Sequence, residues 1–224
     1  MPGSRAGGDP GAARSGWLGV PTLAAVHLGI IVASNYLVQW PVELAGVPTT
    51  WGAFTFPLLF VATDLTVRLL GRSAARSVVA RAMLPALAAS YAVSVLFRDG
   101  RFAGFGALGA FDGFVARIAL ASLVAYVAGQ LLDIAVFARL RRRRPWWLAP
   151  AVSTLFGSAV DTALFFAVAF HRSSDPFMAE HWGSIAAVDY ATKLAISLLA
   201  FLPLYRALLE GLARPLTPPR RTTA

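Results

Sequence analysis

The stretch GFVARIALASLVAYVAGQLLDIAVFARLRRRRPWW, from Gly113 to Trp147, decides the fold. At about 1.5 Å per residue, the apolar part from Gly113 to Phe137 is long enough to cross a hydrocarbon layer about 30 Å thick. It stops at a run of arginines, Arg141 to Arg144, followed by Pro145 and the pair Trp146 and Trp147. A cationic loop followed by aromatic rings is the pattern of a membrane helix meeting water and re-entering at the headgroup level.

Five further apolar segments lie on either side of this one. Together the six spans are expected near 17–40, 52–70, 78–97, 113–137, 146–170 and 184–206, with short gaps that make consecutive spans pack as helical hairpins. Composition agrees: 57% of the 224 residues are hydrophobic and 14% charged. Soluble domains run at about 45–50% and about 25%. The fold class is therefore all-α, a polytopic membrane protein with six transmembrane helices in a compact bundle. Residues 1–16 are rich in Gly, Ala, Pro and Arg and are expected to form a disordered cytoplasmic tail. Residues 17–210 form the membrane domain, and 211–224 a second cytoplasmic tail.

The net charge of +9 does not point to nucleic acid, because the arginines sit between apolar segments rather than along one face. Most lie in the N-terminal tail, around 68–81, around 139–144 and at the C-terminal end, while the alternate regions hold only Arg98, Arg101 and Arg172. The positive-inside rule then places both termini in the cytoplasm. With no cysteine, the chain has no thiolate metal site and no cysteine nucleophile. His27, His171 and His181 are scattered, without ligand spacing. No catalytic residue, metal site or cofactor is expected.

Four aspartates interrupt the spans: Asp64, Asp133, Asp161 and Asp189. A carboxylate in a bilayer core costs about 2.5–3.5 kcal/mol even on the lenient insertion scale, so all four should turn inward. They lie on polar stripes. Ser122, Tyr126, Gln130 and Asp133 share one helix face, as do Asp189, Lys193 and Ser197. Ser153, Thr154, Gly157, Ser158 and Asp161 cover less than half of the fifth span, and Asn35 and Gln39 stand one turn apart in the first. Such stripes can enclose a polar pocket, although small and hydroxyl residues also serve helix packing. Asp161 and Asp189 lie in the outer halves of their spans with Asn35, Gln39 and Arg117. Asp64 and Asp133 lie nearer the cytoplasm, where Asp64 with Arg68 forms an i,i+4 acid–base pair. Asp64, Arg68 and Asp133 are candidates for a gate or structural ion pair, and Arg117 is a candidate either for the pocket lining or for snorkelling outward.

The run from Asp112-Gly113 through Ala116-Arg117 to Gly129 and Asp133 resembles the metal-binding motif D-G-x2-A-R-x8-G-x3-D-x3-D of membrane CDP-alcohol phosphotransferases. Here eleven residues separate Arg117 from Gly129, which turns the second half by about 300° at about 100° per residue. Phe137 stands where the last aspartate is needed. This enzyme reading is set aside.

A broader likeness runs in order from about residue 17 to 210. It is carried by ASNYLVQ (33–39), TWGAFTFPLLFVATDLTVR (50–68), GFGAL (104–108), RIA (117–119), GQLLD (129–133), WWLAP (146–150), STLFG (153–157), Asp161-Thr162, FMAEHW (177–182) and Val188-Asp189-Tyr190. These strings resemble the bacterial queuosine precursor transporter family, of the vitamin uptake transporter type. The resemblance implies a multi-pass protein of the bacterial inner membrane that imports 7-cyano-7-deazaguanine, and the 7-aminomethyl form as a further candidate, for transfer RNA modification. A transporter of another nucleobase or vitamin with the same fold is the alternative. The expected partners are a small deazapurine and membrane lipid, with no direct nucleic acid. A separate energising complex stays open.

Residue roles then follow from the chemistry of that substrate. Its guanine-like edge carries an N–H beside an amino group, which Asp161 or Asp189 can accept in bidentate fashion. Gln39, Asn35 or Lys193 can donate to the ring carbonyl, and Trp51, Phe54, Phe56 or Tyr190 can stack on the ring. Gln130 and Arg117 complete the expected substrate-binding set.

Overall fold

The computed structural model describes residues 19–44, 46–143 and 145–213. The expected tail 1–16 and residues 214–224 lie outside these. Among the described residues, six helical segments are long and apolar enough to cross a membrane. The first span is α1, Val20–Leu37. The second is broken into α2, Gly52–Thr55, and α3, Leu58–Leu69, with Pro57 at the junction. Proline lacks the N–H that would continue the ladder, which accounts for the break. The third span, α4, covers Arg72–Leu96 and the fourth, α5, Gly113–Leu140. The fifth, α6, covers Leu148–Phe170. The sixth runs through α7, Pro176–Ile196, a π-helical turn at Ser197–Phe201, and α8, Leu202–Ala213.

Three boundaries differ from expectation. The third span begins at Arg72 rather than near 78, because Gly71 adopts φ +91° and turns the chain at once. Its arginines therefore lie on the helix, where long side chains can reach water. The sixth span begins at Pro176, started by the Asp175 side chain accepting from the Met178 N–H at 3.0 Å. It also continues as helix to Ala213, beyond the expected end of the membrane domain at 210. Asp112, the first residue of the rejected phosphotransferase motif, is likewise a helix cap. Its Oδ1 accepts from the Phe114 and Val115 N–H groups, both at 3.1 Å.

The connections opposite the arginine-rich face contain small β-hairpins. β1, Pro41–Leu44, pairs with β2, Val47–Thr50, and β3, Phe97–Arg98, pairs with β4, Arg101–Phe102. Hydropathy alone gave no sign of either.

Span two is the central helix: 61% of its apolar window is buried, against 17% for spans one and six. α1 packs chiefly on α4, and α4, α5, α6 and α7 pack in sequence. The apolar core gathers around α3 in the arginine-rich half, where Leu59, Val67, Ile134, Phe137 and Tyr205 are almost wholly enclosed. The other half is hollow.

Candidate functional site

A cavity of about 170 Å³ occupies that hollow half, and all six spans contribute to its wall. The second span's break lets Phe56 reach it. Asp161 of α6 and Asp189 and Lys193 of α7 form its charged side. Lys193 Nζ lies 2.5 Å from Asp189 Oδ2, an ion contact rather than a well-directed hydrogen bond. The same ammonium stands 5.2 Å from the centroid of the Phe56 ring. This places a cation between a carboxylate and an aromatic face. Asp161 is only 3% exposed yet forms no hydrogen bond or ion pair among the described residues. Asp161 lines the cavity, where a carboxylate can accept hydrogen bonds.

The opposite wall is neutral and polar. Asn35 donates to Ser90 Oγ at 2.7 Å, and Ser34 donates to Thr55 Oγ1 at 2.9 Å. Tyr126 lines the cavity while its hydroxyl pairs with His27 Nδ1 at 3.0 Å. Phe165 and Phe166 add aromatic surface. The cavity thus offers an unpaired carboxylate, an ammonium, hydroxyl and amide groups, and flat apolar rings. These are the requirements of a planar heterocycle with donors and acceptors on one edge.

Of the expected substrate-binding set, Asn35, Phe56, Asp161, Asp189 and Lys193 line this cavity. The others lie elsewhere. Gln39 Oε1 accepts from the Gly100 N–H at 3.1 Å and fastens the second hairpin to the end of α1. Trp51 is half-exposed and tilted against Phe54, 5.5 Å between centroids, outside the cavity. Tyr190 donates its hydroxyl proton to the Leu155 carbonyl at 3.1 Å. Gln130 is buried and accepts from the Thr63 hydroxyl. Arg117 donates to the carbonyls of Val168, His171 and Arg172 at 2.8, 2.5 and 3.4 Å, capping the C-terminal end of α6. That end carries unpaired carbonyls and partial negative charge, which explains the arginine there.

Asp64 and Asp133 form a second polar cluster in the arginine-rich half. They are 1% and 0% exposed and lie close enough for their charges to interact. Ser153 donates to Asp64, 3.2 Å from Oδ1. The expected Asp64–Arg68 contact is not formed. Arg68 instead donates to the Tyr205 hydroxyl at 3.1 Å and the Arg141 carbonyl at 2.6 Å, while Arg141 donates back to the Val67 carbonyl at 2.5 Å. The two arginines cross-cap the ends of α3 and α5, where carbonyls lack intrahelical partners.

Sequence reasoning missed Ser90, Ser94, Phe165 and Phe166 as cavity-lining residues. Ser90 and Ser94 stand at i,i+4 on α4, a stripe that could have been read. The two phenylalanines lie in an unbroken apolar run and carry no such signal.

Residues 50–208 match the family described as "Putative vitamin uptake transporter". The chain is 56% identical over 194 residues to the "Queuosine precursor transporter" of Escherichia coli strain K12, covering 87% of this chain and 88% of that one. It is 48% identical over 206 residues to the "Probable queuosine precursor transporter" of Haemophilus influenzae, with the same coverage. The corresponding protein of Bacillus subtilis strain 168 is 31% identical over 198 residues, covering 85% of this chain and 81% of that one. No solved structure matches.

Proposed function

We propose that this chain, which belongs to the vitamin uptake transporter family, imports queuosine precursors across the bacterial inner membrane. Membership makes it a transporter and sets aside the phosphotransferase reading. The substrate class is taken from the names of its bacterial relatives. The arginine distribution supports placing the arginine-rich face and both termini in the cytoplasm, with the cavity toward the outside.

One observation carries the substrate reading: the enclosed, unpaired Asp161 carboxylate beside the Asp189–Lys193 pair. A 7-deazaguanine presents an N–H and an amino group in line, and Asp161 accepts both. Lys193 or Asn35 donates to the ring carbonyl, and Phe56, Phe165 and Phe166 flank the ring. We take 7-cyano-7-deazaguanine as the transported form and the 7-aminomethyl form as its competitor.

The test is uptake by a strain that cannot make the precursor and lacks its own transporter. Expression of this chain should restore queuosine in transfer RNA at nanomolar external 7-cyano-7-deazaguanine. Absence of rescue with the protein present in the membrane would end this reading. Inhibition by guanine as strong as by the deaza base would redirect it to another nucleobase.

A further inference from the structure

The cluster below the cavity has an arrangement that substrate binding leaves unexplained. Asp64 and Asp133 are almost wholly buried close to one another, yet no cation is paired with either among the described residues. The nearest, Arg68, is held by Tyr205 and the Arg141 carbonyl and lies 5.4 Å from the Phe137 ring centroid. Ser153 supplies its one hydroxyl proton to Asp64. Both oxygens of Asp133 are buried without any donor.

Two ionised carboxylates close together, out of water and without a counter-ion, repel strongly, and each unmet buried acceptor adds its own desolvation cost. A single proton resolves both defects. It removes one charge and supplies the donor that the pair lacks, as in other closely spaced carboxylate pairs. A void of about 20 Å³ beside Asp64, bounded by Ser197, Tyr205 and Thr154, holds room for about one water next to the pair. Part of its wall is the π-helical turn Ser197–Phe201, where the Ser197 hydroxyl donates to the Lys193 carbonyl at 2.7 Å. Such single π turns inside helices recur at functional sites.

The proton site and the cavity share a mechanical joint. α5 and α6 cross at Gly129 and Gly157. A β-carbon on Gly157 would lie 3.0 Å from Asp133 Cβ, and one on Gly129 would lie 2.9 Å from Asp161 Cβ. The lower acid and the substrate-facing acid thus pack against the two glycines of one crossing. A change of charge at one and of occupancy at the other bias the same helix contact.

We propose that Asp64 and Asp133 form a proton-binding site that couples inward proton movement to substrate movement through the cavity. The groups facing the pair are Ser153 from α6, Arg68 from α3 and Tyr205 from α8. The bound species is one proton shared between the two carboxyls. The coupling part rests on the transport reading above; the proton site does not.

The full chain in lipid vesicles tests both parts. Infrared spectra without substrate should show a protonated-carboxyl band, shifted in heavy water, that disappears in Asp133→Asn and in Asp64→Asn. With 7-cyano-7-deazaguanine, an alkaline interior should drive accumulation by about tenfold per pH unit for one proton per substrate. Asp133→Asn, which resembles the protonated acid in shape, should still exchange labelled for unlabelled substrate but accumulate none above the outside level. Asp133→Glu, which keeps a titrating carboxyl, should retain accumulation. Absence of the band, wild-type accumulation indifferent to the pH step, accumulation driven by sodium alone, or full accumulation by Asp133→Asn would each overturn the proposal. If wild type exchanges no deazaguanine at all, the transport reading fails, while the infrared result still decides the proton site.

Discussion

Gly129 and Gly157 lie against each other where α5 crosses α6: a β-carbon on Gly129 would come within 3.0 Å of the Gly157 carbonyl oxygen, and one on Gly157 within 3.2 Å of Gly129's. In lipid no hydrophobic force draws helices together, so close backbone packing of small residues must do so. This contact sets the positions of Asp161 above and Asp133 below.

Gly129→Ala puts a methyl group against Asp161 Cβ and a backbone oxygen, neither of which can rotate away. The helices must separate. Overpacking of this kind costs about 1–3 kcal/mol. Thermal unfolding in detergent should show a lowered midpoint, with deazaguanine affinity reduced as Asp161 shifts. An unchanged midpoint and affinity would show that the crossing tolerates a methyl.

Arg117 should matter for stability and little for recognition. It caps α6 through three carbonyls and stands outside the cavity wall. Arg117→Ala should lower stability by about 1–2 kcal/mol while leaving the substrate dissociation constant within about twofold. A large loss of affinity in a protein of normal stability would return Arg117 to the binding set.

Asp189 and Lys193 should behave as a unit. Lys193→Gln leaves Asp189 and Asp161 in one wall without their cation. Asp189→Asn frees an ammonium beside the substrate. Each single change should reduce uptake more than stability. The pair is 23% and 14% exposed, so a double-mutant cycle on unfolding should give a coupling of only about 1 kcal/mol. A coupling near zero would show that the two do not stabilise one another as a pair.

The spans and the inward polar stripe of α5 were legible because both are periodic. Ser122 and Tyr126 line the cavity, and Gln130 and Asp133 continue the same face to the lower cluster. Asp161 stood out through the cost of a carboxylate in lipid. Other roles depended on partners distant in sequence. Arg117 and Arg68 look like pocket or pairing residues until the ends of α6 and α5 are seen beside them. Gln39 and Tyr190 likewise serve backbone groups of remote segments. Periodicity reports which face a residue occupies, but not which helix end lies opposite it. The break at Pro57, which admits Phe56 to the cavity, could have been read from the proline; its consequence could not.

The most direct measurement is equilibrium binding of 7-cyano-7-deazaguanine to the purified chain, wild type and Asp161→Asn, by titration calorimetry. The asparagine turns an amino group toward the ligand's own donors and removes the charge that strengthens both hydrogen bonds. Saturable binding to wild type, weakened roughly ten- to hundredfold in Asp161→Asn with the unfolding midpoint preserved, is the result expected. Equal affinity in the two proteins, or no binding to a folded wild type, would contradict the account.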